Sequence, residues 1–498
     1  MKRSICLVLM MGSILSAGER RLVMNGGLGF SVKKTDIDNK KISEYPDDLS
    51  YGIDIATTGK FGKQTIGGIL SLTYDELKKA DIENINISLS SEKTDLTIGD
   101  VAESPSLLSL NTMNLRGIIG KTKRANKNMM LFIGRSQEKD EEYGQYRQYL
   151  GGFSIDATIN KVKLGGVYLE AKDDKNSIAS STTSPIFNQV IGLNSSIPIQ
   201  EAISLDAEVC FSRYDTDTTK KGDCDQKAFK ISAETQKENL EVSLGYSYIE
   251  PNFYSAANTF LSTDRKKGEL FLKYSKDIVE AGLSYNLYDD NLDKKKSFTT
   301  RTKKAELNLS LFPKRFLEEI EIKYKITLDK AKTSSPTVNR ENEIISLSLS
   351  RAFRGIDSSL SYEMGRGDDK VNNTMASKSS LFSVNISGDL RKDLFTSLYF
   401  YSSFYDQTQK TRQDSYSISL TYEPKTWIRI TPGYNYCETG EDEKKQLLER
   451  SFSLETIWYL SSKHQLTVAC QGMEKRDSIT PSNDYTGTQA ELKLTTLF

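Results

Sequence analysis

Residues 319–328 read EIEIKYKITL, and the stretch alternates strictly between two kinds of side chain. One set is apolar and the other is mostly charged: Ile320, Ile322, Tyr324, Ile326 and Leu328 against Glu319, Glu321, Lys323, Lys325 and Thr327. Because successive side chains of a strand point to opposite faces, this pattern predicts a β-strand with one apolar and one charged face. In a soluble protein the apolar face would meet a core, whereas in a membrane barrel it would meet lipid and the charges would line a wet interior.

The same two-faced pattern recurs along the chain at a nearly even spacing. From residue 146 onward, short connections alternate with long polar loops such as 171–184 and 289–301. The short connections centre near Asn160, Ile199, Lys237, Lys276, Arg315, Phe353, Arg391, Lys425 and Lys463. Short turns on one side and long loops on the other are typical of transmembrane barrels. We therefore predict an all-β fold, a single-chain antiparallel transmembrane β-barrel of about 24–26 strands with short periplasmic turns and long extracellular loops.

Composition excludes several other classes of protein. The 498 residues include 67 basic and 67 acidic side chains, so no charge excess favours nucleic acid as a partner. Hydrophobic residues make up only 37%, which is low for a large soluble core, and Tyr (25) and Phe (20) far outnumber Trp (2). No stretch of the chain after the N-terminal segment is long and apolar enough to predict a transmembrane helix. A secreted all-β solenoid or an array of β-sandwiches is the competing interpretation.

The N-terminus reads MKRSICLVLMMGSILSAGE. Lys2 and Arg3 precede an apolar run that ends at small residues, which is the pattern of a secretory signal peptide. We predict a signal peptide over residues 1–18 and one barrel domain over 19–498. An uncleaved anchor helix is the alternative, but the apolar run is short for a membrane span.

The C-terminus ends in an alternating strand that closes on Phe498. This ending resembles the signal read by the barrel-assembly machinery of Gram-negative outer membranes. The resemblance implies that the protein lies in the outer membrane of a Gram-negative bacterium, with outer-membrane lipids, lipopolysaccharide and the assembly machinery as partners.

One segment breaks the regular spacing. Residues 97–120 read TIGDVAESPSLLSLNTMNLRGIIG, with Gly99-Asp100 before a fairly apolar, proline-containing span and Arg116-Gly117 after it. This arrangement is similar to one in fimbrial ushers, which are large outer-membrane translocation barrels. The resemblance covers this hairpin alone and implies that it folds inward, with Asp100 and Arg116 as lumen groups. A plain extracellular loop is the alternative, and the loop 250–264 is a second candidate for narrowing the lumen.

The charged strand faces predict the lining of the lumen. The residues expected there, besides Asp100 and Arg116, are Glu241, Lys273, Glu306, Glu319, Glu321, Lys323 and Lys325. Because both signs occur, we expect transport to depend on size and gating more than on the sign of the solute's charge.

Catalytic and metal-binding patterns are not evident. The single histidine, His464, lies in the predicted turn SSKH, whereas a Ser–His site in the barrel wall would need a histidine on a mid-membrane strand with a serine beside it. No Cys-x-x-Cys motif occurs, and acidic loops match no fixed calcium spacing, so we predict no metal and no cofactor. Cys210 and Cys224 flank a polar loop, and a disulfide across that hairpin is one interpretation.

We therefore predict a non-enzymatic outer-membrane channel or export conduit for hydrophilic solutes or polymers. The alternative is a structural, partner-binding barrel whose lumen is filled by another chain in a secretion or surface-display complex, with a periplasmic or lumen protein as the partner. An enzyme in the barrel wall is the third and weakest interpretation, since it would rest on His464.

Overall fold

The structure is a computed structural model that describes most of the chain. The described residues are 23–37, 48–75, 79–111, 113–141, 143–178, 184–215, 224–313, 317–332, 338–371, 377–406, 409–442, 444–481 and 484–497. The predicted signal peptide over 1–18 and the terminal Phe498 lie outside these residues, so both stay predictions.

Nearly all of the described residues belong to long strands. In chain order these are β1 (Val23–Ile37), β2 (Asp48–Phe61), β3 (Gln64–Asp75), β4 (Lys79–Ser90), β5 (Thr94–Glu103), β6 (Met113–Arg124), β7 (Lys127–Gln137), β8 (Arg147–Ile159), β9 (Val162–Asp174), β10 (Phe187–Gln200), β11 (Ile203–Asp215), β12 (Cys224–Lys237), β13 (Leu240–Ile249), β14 (Arg265–Lys276), β15 (Val279–Asp289), β16 (Thr300–Leu311), β17 (Glu319–Ala331), β18 (Asn339–Phe353), β19 (Ile356–Asp369), β20 (Ser377–Arg391), β21 (Leu394–Asp406), β22 (Lys410–Lys425), β23 (Ile428–Glu441), β24 (Lys444–Tyr459), β25 (His464–Asp477) and β26 (Tyr485–Leu497).

The strands form one closed antiparallel ring. Each strand pairs with the next along the chain, and β1 pairs with both β2 and β26, with Gly27 opposite Leu497 at the end of that last ladder. Closure leaves no free edge around the ring as a whole, which is how a barrel avoids exposing unpaired backbone. The predicted barrel of 24–26 strands is confirmed, with 26 strands. No helix in the described part of the chain is long and apolar enough to cross a membrane.

The two ends of the barrel differ in their connections, as predicted. One end carries tight turns, for example Asn160-Lys161 between β8 and β9, where both residues have positive φ angles of 50° and 73°. Two consecutive residues with positive φ match the type I′ turn, whose twist suits a hairpin. The other end carries most of the longer connections, including those after β5, β13 and β15. We call it the long-loop end.

The outer wall is a continuous apolar surface. Leu131, Ile133 and Leu193 are 62%, 65% and 57% exposed, and similar side chains follow at alternate positions on the other strands. Such a surface is far larger than the apolar patches that soluble monomers expose, and it fits contact with lipid. Ile322 and Tyr324 of the stretch 319–328 belong to this wall, at 42% and 36% exposure.

A hydrophobic core lies inside the ring, against part of the wall only. It consists of the inward side chains of β6–β13, together with residues of the two loops that follow β5 and β13. Its buried members are Leu108, Leu110, Met113, Leu115, Ile119, Met130, Phe132, Leu150, Val167, Leu169, Ala171, Val190, Cys210, Ala228, Ile249, Phe253 and Ala257. The core shows that both loops fold into the barrel and cover one side of it.

Candidate functional site

Two loops from the long-loop end meet inside the barrel. We call residues 104–111 the first inward segment and residues 250–264 the second inward segment. The Asn258 amide donates to the Leu107 and Leu108 carbonyls at 2.9 and 3.0 Å, and the Ser255 hydroxyl donates to the Ser109 carbonyl at 2.5 Å. These side-chain bonds satisfy carbonyls that no strand ladder could reach, so the two segments hold each other.

The first inward segment is also fastened to the wall. The Glu208 carboxylate on β11 accepts a hydrogen bond from the Ser106 hydroxyl at 2.5 Å and one from the Leu108 amide at 3.1 Å. Hydrogen bonds to an ionised acceptor are stronger than neutral ones. Leu108 and Leu110 then pack into the core with 3% and 0% exposure. The segment is therefore anchored by both polar and apolar contacts.

The second inward segment is fastened by a buried amide on β10. Asn188, with 0% exposure, donates to the Tyr254 carbonyl at 3.0 Å and accepts from the Ala256 amide at 3.0 Å. The Ser212 hydroxyl on β11 donates to the same Tyr254 carbonyl at 2.5 Å. Phe253, only 2% exposed, fills the core beside these bonds. These anchors lie on the β6–β13 side of the barrel, while at the end of the segment Asp264 accepts from the Leu292 amide and pairs with Lys296, both in the loop between β15 and β16.

The hairpin of β5 and β6 leaves the wall where the first inward segment begins. β4 and β5 share only five paired positions, Asn86–Ser90 against Asp95–Gly99. Beyond Gly99 the backbone amide and carbonyl groups of β4 form hydrogen bonds with two side chains instead of with β5. The Asp100 carboxylate accepts from the Ile85 amide at 2.9 Å, and the Arg116 guanidinium donates to the Ile82 and Glu83 carbonyls at 3.2 and 3.3 Å.

Glycines make this bend possible. Gly99, Gly117 and Gly134 are paired in one row across β5, β6 and β7. Gly99 has φ of 120°, which strongly favours glycine. A Cβ on Gly117 would lie 2.1 Å from the Ile133 carbonyl oxygen and 2.5 Å from the Gly134 Cα, so the backbones approach too closely for any other residue.

The structure brings together the two predicted residues at the hairpin. Arg116 Nε lies 2.6 Å from Asp100 Oδ1. Asp100, Arg116 and Arg135 are paired in one row across β5, β6 and β7. On β6 this row lies on the face opposite to the core residues Leu115 and Ile119. The pair therefore bonds to the edge of β4 at the seam, rather than pointing toward the first inward segment as a lumen group would.

The other predicted lumen residues share one face of the ring. The reference for this face is Lys230 on β12, which lines a cavity of about 490 Å³ together with residues 104–107 of the first inward segment. Glu241 pairs with Gln236, six residues from Lys230 on the same strand, and with Lys273. From Lys273 the paired positions continue strand by strand to Lys323 on β17. Residues an even number of positions away on the same strands share this face. The set on this face is Glu241, Lys273, Glu306, Glu319, Glu321, Lys323 and Lys325.

Several of these charges are paired within the wall. Lys323 lies 2.7 Å from Glu321, and Lys273 lies 3.0 Å from Glu280. Glu306 is directly opposite Lys325 in the ladder between β16 and β17. The electrostatic fields of such oppositely charged pairs cancel over short distances, so this part of the wall is polar but produces little net electrostatic field. The part these residues play in a constriction stays a prediction.

The predicted disulfide is wrong. Cys210 is a free, fully buried thiol. The register places it opposite Ala228, while Cys224 lies opposite Tyr214. Four residues of strand separate the two positions, about 13 Å, which is beyond the Cα–Cα range of a disulfide.

Sequence reasoning missed the core inside the barrel, although a signal was present. A strand that meets lipid on one face and a water-filled lumen on the other should be apolar on one face only. The β7 segment KNMMLFIGRSQ is apolar on both, with Met129, Leu131 and Ile133 outside and Met130 and Phe132 inside. A strand of this composition indicates that something covers its inner face.

No protein-family model matches the chain, and no curated protein does either. Solved structures do resemble it. An E. coli P pilus tip assembly intermediate, PapC-PapD-PapK-PapG, matches with a TM-score of 0.54 and 9% identity over 90% of this chain and 62% of that one. The P pilus usher PapC translocation pore matches with a TM-score of 0.36 and 10% identity over 96% and 99%. The FrpB iron transporter from Neisseria meningitidis matches with a TM-score of 0.48 and 9% identity over 95% and 81%.

The first of these similarities concerns fold alone, and this chain spans about 62% of the length of the pilus-assembly chain that it matches. This similarity of fold agrees with the closed ring of strands described above. The chain has the fold of a large, single-chain outer-membrane β-barrel.

Proposed function

We propose that the protein is a non-enzymatic conduit in the outer membrane of a Gram-negative bacterium, narrowed by a fixed, one-sided constriction. The observation that carries the proposal is the packing of both inward segments into a core whose buried strand residues all belong to β6–β13. In this proposal the passage runs between those segments and the polar wall of the remaining strands. Hydrophilic solutes or polymers would move along that wall.

The polarity of the free wall supports this proposal. On β17 the side chains that share the face of Lys230 are Glu319, Glu321, Lys323 and Lys325, and the matching row on β18 is largely serine. Paired opposite charges and hydroxyl groups suit a hydrated path, and they favour neither cations nor anions strongly. The anchored segments would set the size limit.

The proposal can be tested with two neighbouring residues that face opposite ways. Lys323→Cys and Tyr324→Cys are made in a background in which Cys224, Cys437 and Cys470 are serine; Cys210 remains because it is buried. Each folded barrel is inserted into a planar lipid bilayer, and single-channel conductance is recorded before and after addition of a charged, membrane-impermeant thiol reagent. We expect the conductance of Lys323→Cys to fall stepwise, because the reagent would occupy the passage.

Tyr324→Cys is the matched control, and its conductance should not change. Heat-modifiable migration in gels confirms that each variant is folded before the recording. A folded barrel without any conductance contradicts the open conduit. A conductance that falls equally in both variants contradicts the proposed path.

A second candidate is a barrel whose lumen receives another protein chain. The fold's likeness to the P pilus tip assembly intermediate PapC-PapD-PapK-PapG favours it. Such a barrel would be silent alone and would co-purify with a partner. Native mass spectrometry of the protein extracted from its own membrane separates the two candidates, since a conduit for solutes should appear as the bare chain.

A further inference from the structure

The outer wall changes from apolar to basic toward the long-loop end of β16 and β17. One cross-strand row, Leu307, Tyr324, Ile345 and Met364, is apolar with exposures of 51%, 36%, 46% and 50%. Residues two apart on a strand lie about 6.8 Å from each other on the same face. Lys303, four residues from Leu307, therefore lies about 14 Å closer to the long-loop end.

Basic side chains gather there around a cavity. The cavity has a volume of about 620 Å³, and Leu328 contributes an apolar surface to it. Six basic residues line it, against two acidic ones, Asp329 and Glu341. The basic ones are Arg301, Lys303, Lys330, Lys332, Arg340 and Lys370. We call these six residues the rim cluster.

Part of the rim cluster is neutralised by neighbouring carboxylates. Arg301 and Lys332 both converge on Asp289, at 2.8 and 2.6 Å, and that carboxylate is 5% exposed. Lys370 lies 2.5 Å from Glu341, and Arg340 lies 3.2 Å from Asp369.

The remaining two cations are not neutralised. Lys303 and Lys330 have neither an ion pair nor a side-chain hydrogen bond within the described residues. In the ladder between β16 and β17, Lys303 is opposite Leu328, and Lys330 is opposite Arg301. Both lysines lie an even number of residues from the apolar row of Leu307 and Tyr324, so their side chains are on the outer face. The cavity therefore keeps a positive excess at the border between the apolar wall and the exterior.

We propose that the rim cluster binds the phosphate groups of an anionic glycolipid of the outer leaflet, a phosphorylated diglucosamine lipid of the lipid A type. The ammonium groups of Lys303 and Lys330 would meet the phosphates, and the acyl chains would lie along the apolar row of Leu307 and Tyr324. A soluble anion could use the charges but would gain nothing from that row. The inference rests on the proposed membrane location, with the long-loop end outside.

The test measures lipid binding to the full-length folded barrel in a zwitterionic detergent by native mass spectrometry. The probes are bis-phosphorylated lipid A, the same lipid without phosphates, and inorganic phosphate. Lys303→Gln/Lys330→Gln should bind bis-phosphorylated lipid A about 30-fold more weakly than the unmodified protein, since each basic side chain at a membrane surface contributes about fivefold. The lipid without phosphates should bind poorly to both.

The matched control is Lys172→Gln/Lys227→Gln. These lysines also lie on exposed positions near the long-loop ends of their strands, on β9 and β12, but away from the cavity. Its affinity for lipid A should be unchanged. Equal binding by the rim variant and the unmodified protein would overturn the proposal, as would an equal loss in the control. Phosphate binding that depends on the two lysines, without lipid A binding, would show a soluble-anion site instead. Conductance does not enter this measurement, so a failed conduit and a failed lipid site are told apart.

Discussion

Asn258→Ala should release the first inward segment from the second. The Asn258 side chain is 4% exposed and donates to two carbonyls, those of Leu107 and Leu108. Leaving a buried acceptor without its donor costs about 1–3 kcal/mol, so the loss of two bonds should weaken docking of the segment by about 2–6 kcal/mol. At tenfold per 1.4 kcal/mol, its undocked population rises by a factor of about 30 to 20,000. The strand ladders of the ring are untouched.

Hydrogen exchange followed by mass spectrometry checks this prediction. The Leu108 amide donates to Glu208 on β11, so it should exchange when the segment undocks from the wall. Peptides that span 104–111 should exchange faster by the same factor, while peptides from β14–β26 should not change. Asn342→Ala, on β18 and outside the core, is the control. Unchanged exchange over 104–111 in Asn258→Ala would refute the reasoning, because it would mean that the contact between the two segments does not hold the first in place.

Three further predictions concern the bend, one loop and the buried thiol. Gly117→Val should abolish the heat-modifiable folded form seen in gels, because the valine side chain would overlap the Ile133 carbonyl. The control Gly268→Ala should fold normally, since a Cβ there meets nothing within 4 Å. A folded Gly117→Val barrel would contradict the close approach of the backbones. In the loop beside β14, burial raises the pKa of Asp264, but hydrogen bonds from Lys296 and the Leu292 amide outweigh it and leave that pKa below its usual 3.8. The contribution of Asp264 to loop stability is therefore present above its usual pKa and is lost as pH falls through the lowered value. Acid-stable proteases should cut residues 290–299 faster only in strong acid. In Asp264→Asn, proteases should already cut this loop fast at neutral pH. Cys210 should resist alkylation in the folded barrel and react after denaturation without reductant, and mass spectrometry that finds it linked to Cys224 would contradict the register.

The ring itself follows from local patterns in the sequence. Alternation with period two predicts strands such as β17, where apolar and charged residues change places at every position. Tight turns such as Asn160-Lys161 fall where the strands must reverse. Each strand pairs with its neighbour in the chain, so the strand order follows the chain apart from the closing pair of β1 and β26. Strand number, the unequal ends and the apolar outer wall were therefore accessible from the sequence.

The contents of the lumen depended on contacts between distant residues. Asn258 meets Leu107 across about 150 positions of the chain, and Asn188 meets Tyr254 across 66. Alternation reports whether a side chain is apolar, but it does not report what covers that side chain. The sequence by itself determined a lipid-facing barrel and held the signal of a region, marked by β7, that is apolar on both faces. Only the tertiary structure decided that the two inward segments cover that region, because packing and hydrogen-bond geometry select a partner that strand periodicity cannot encode.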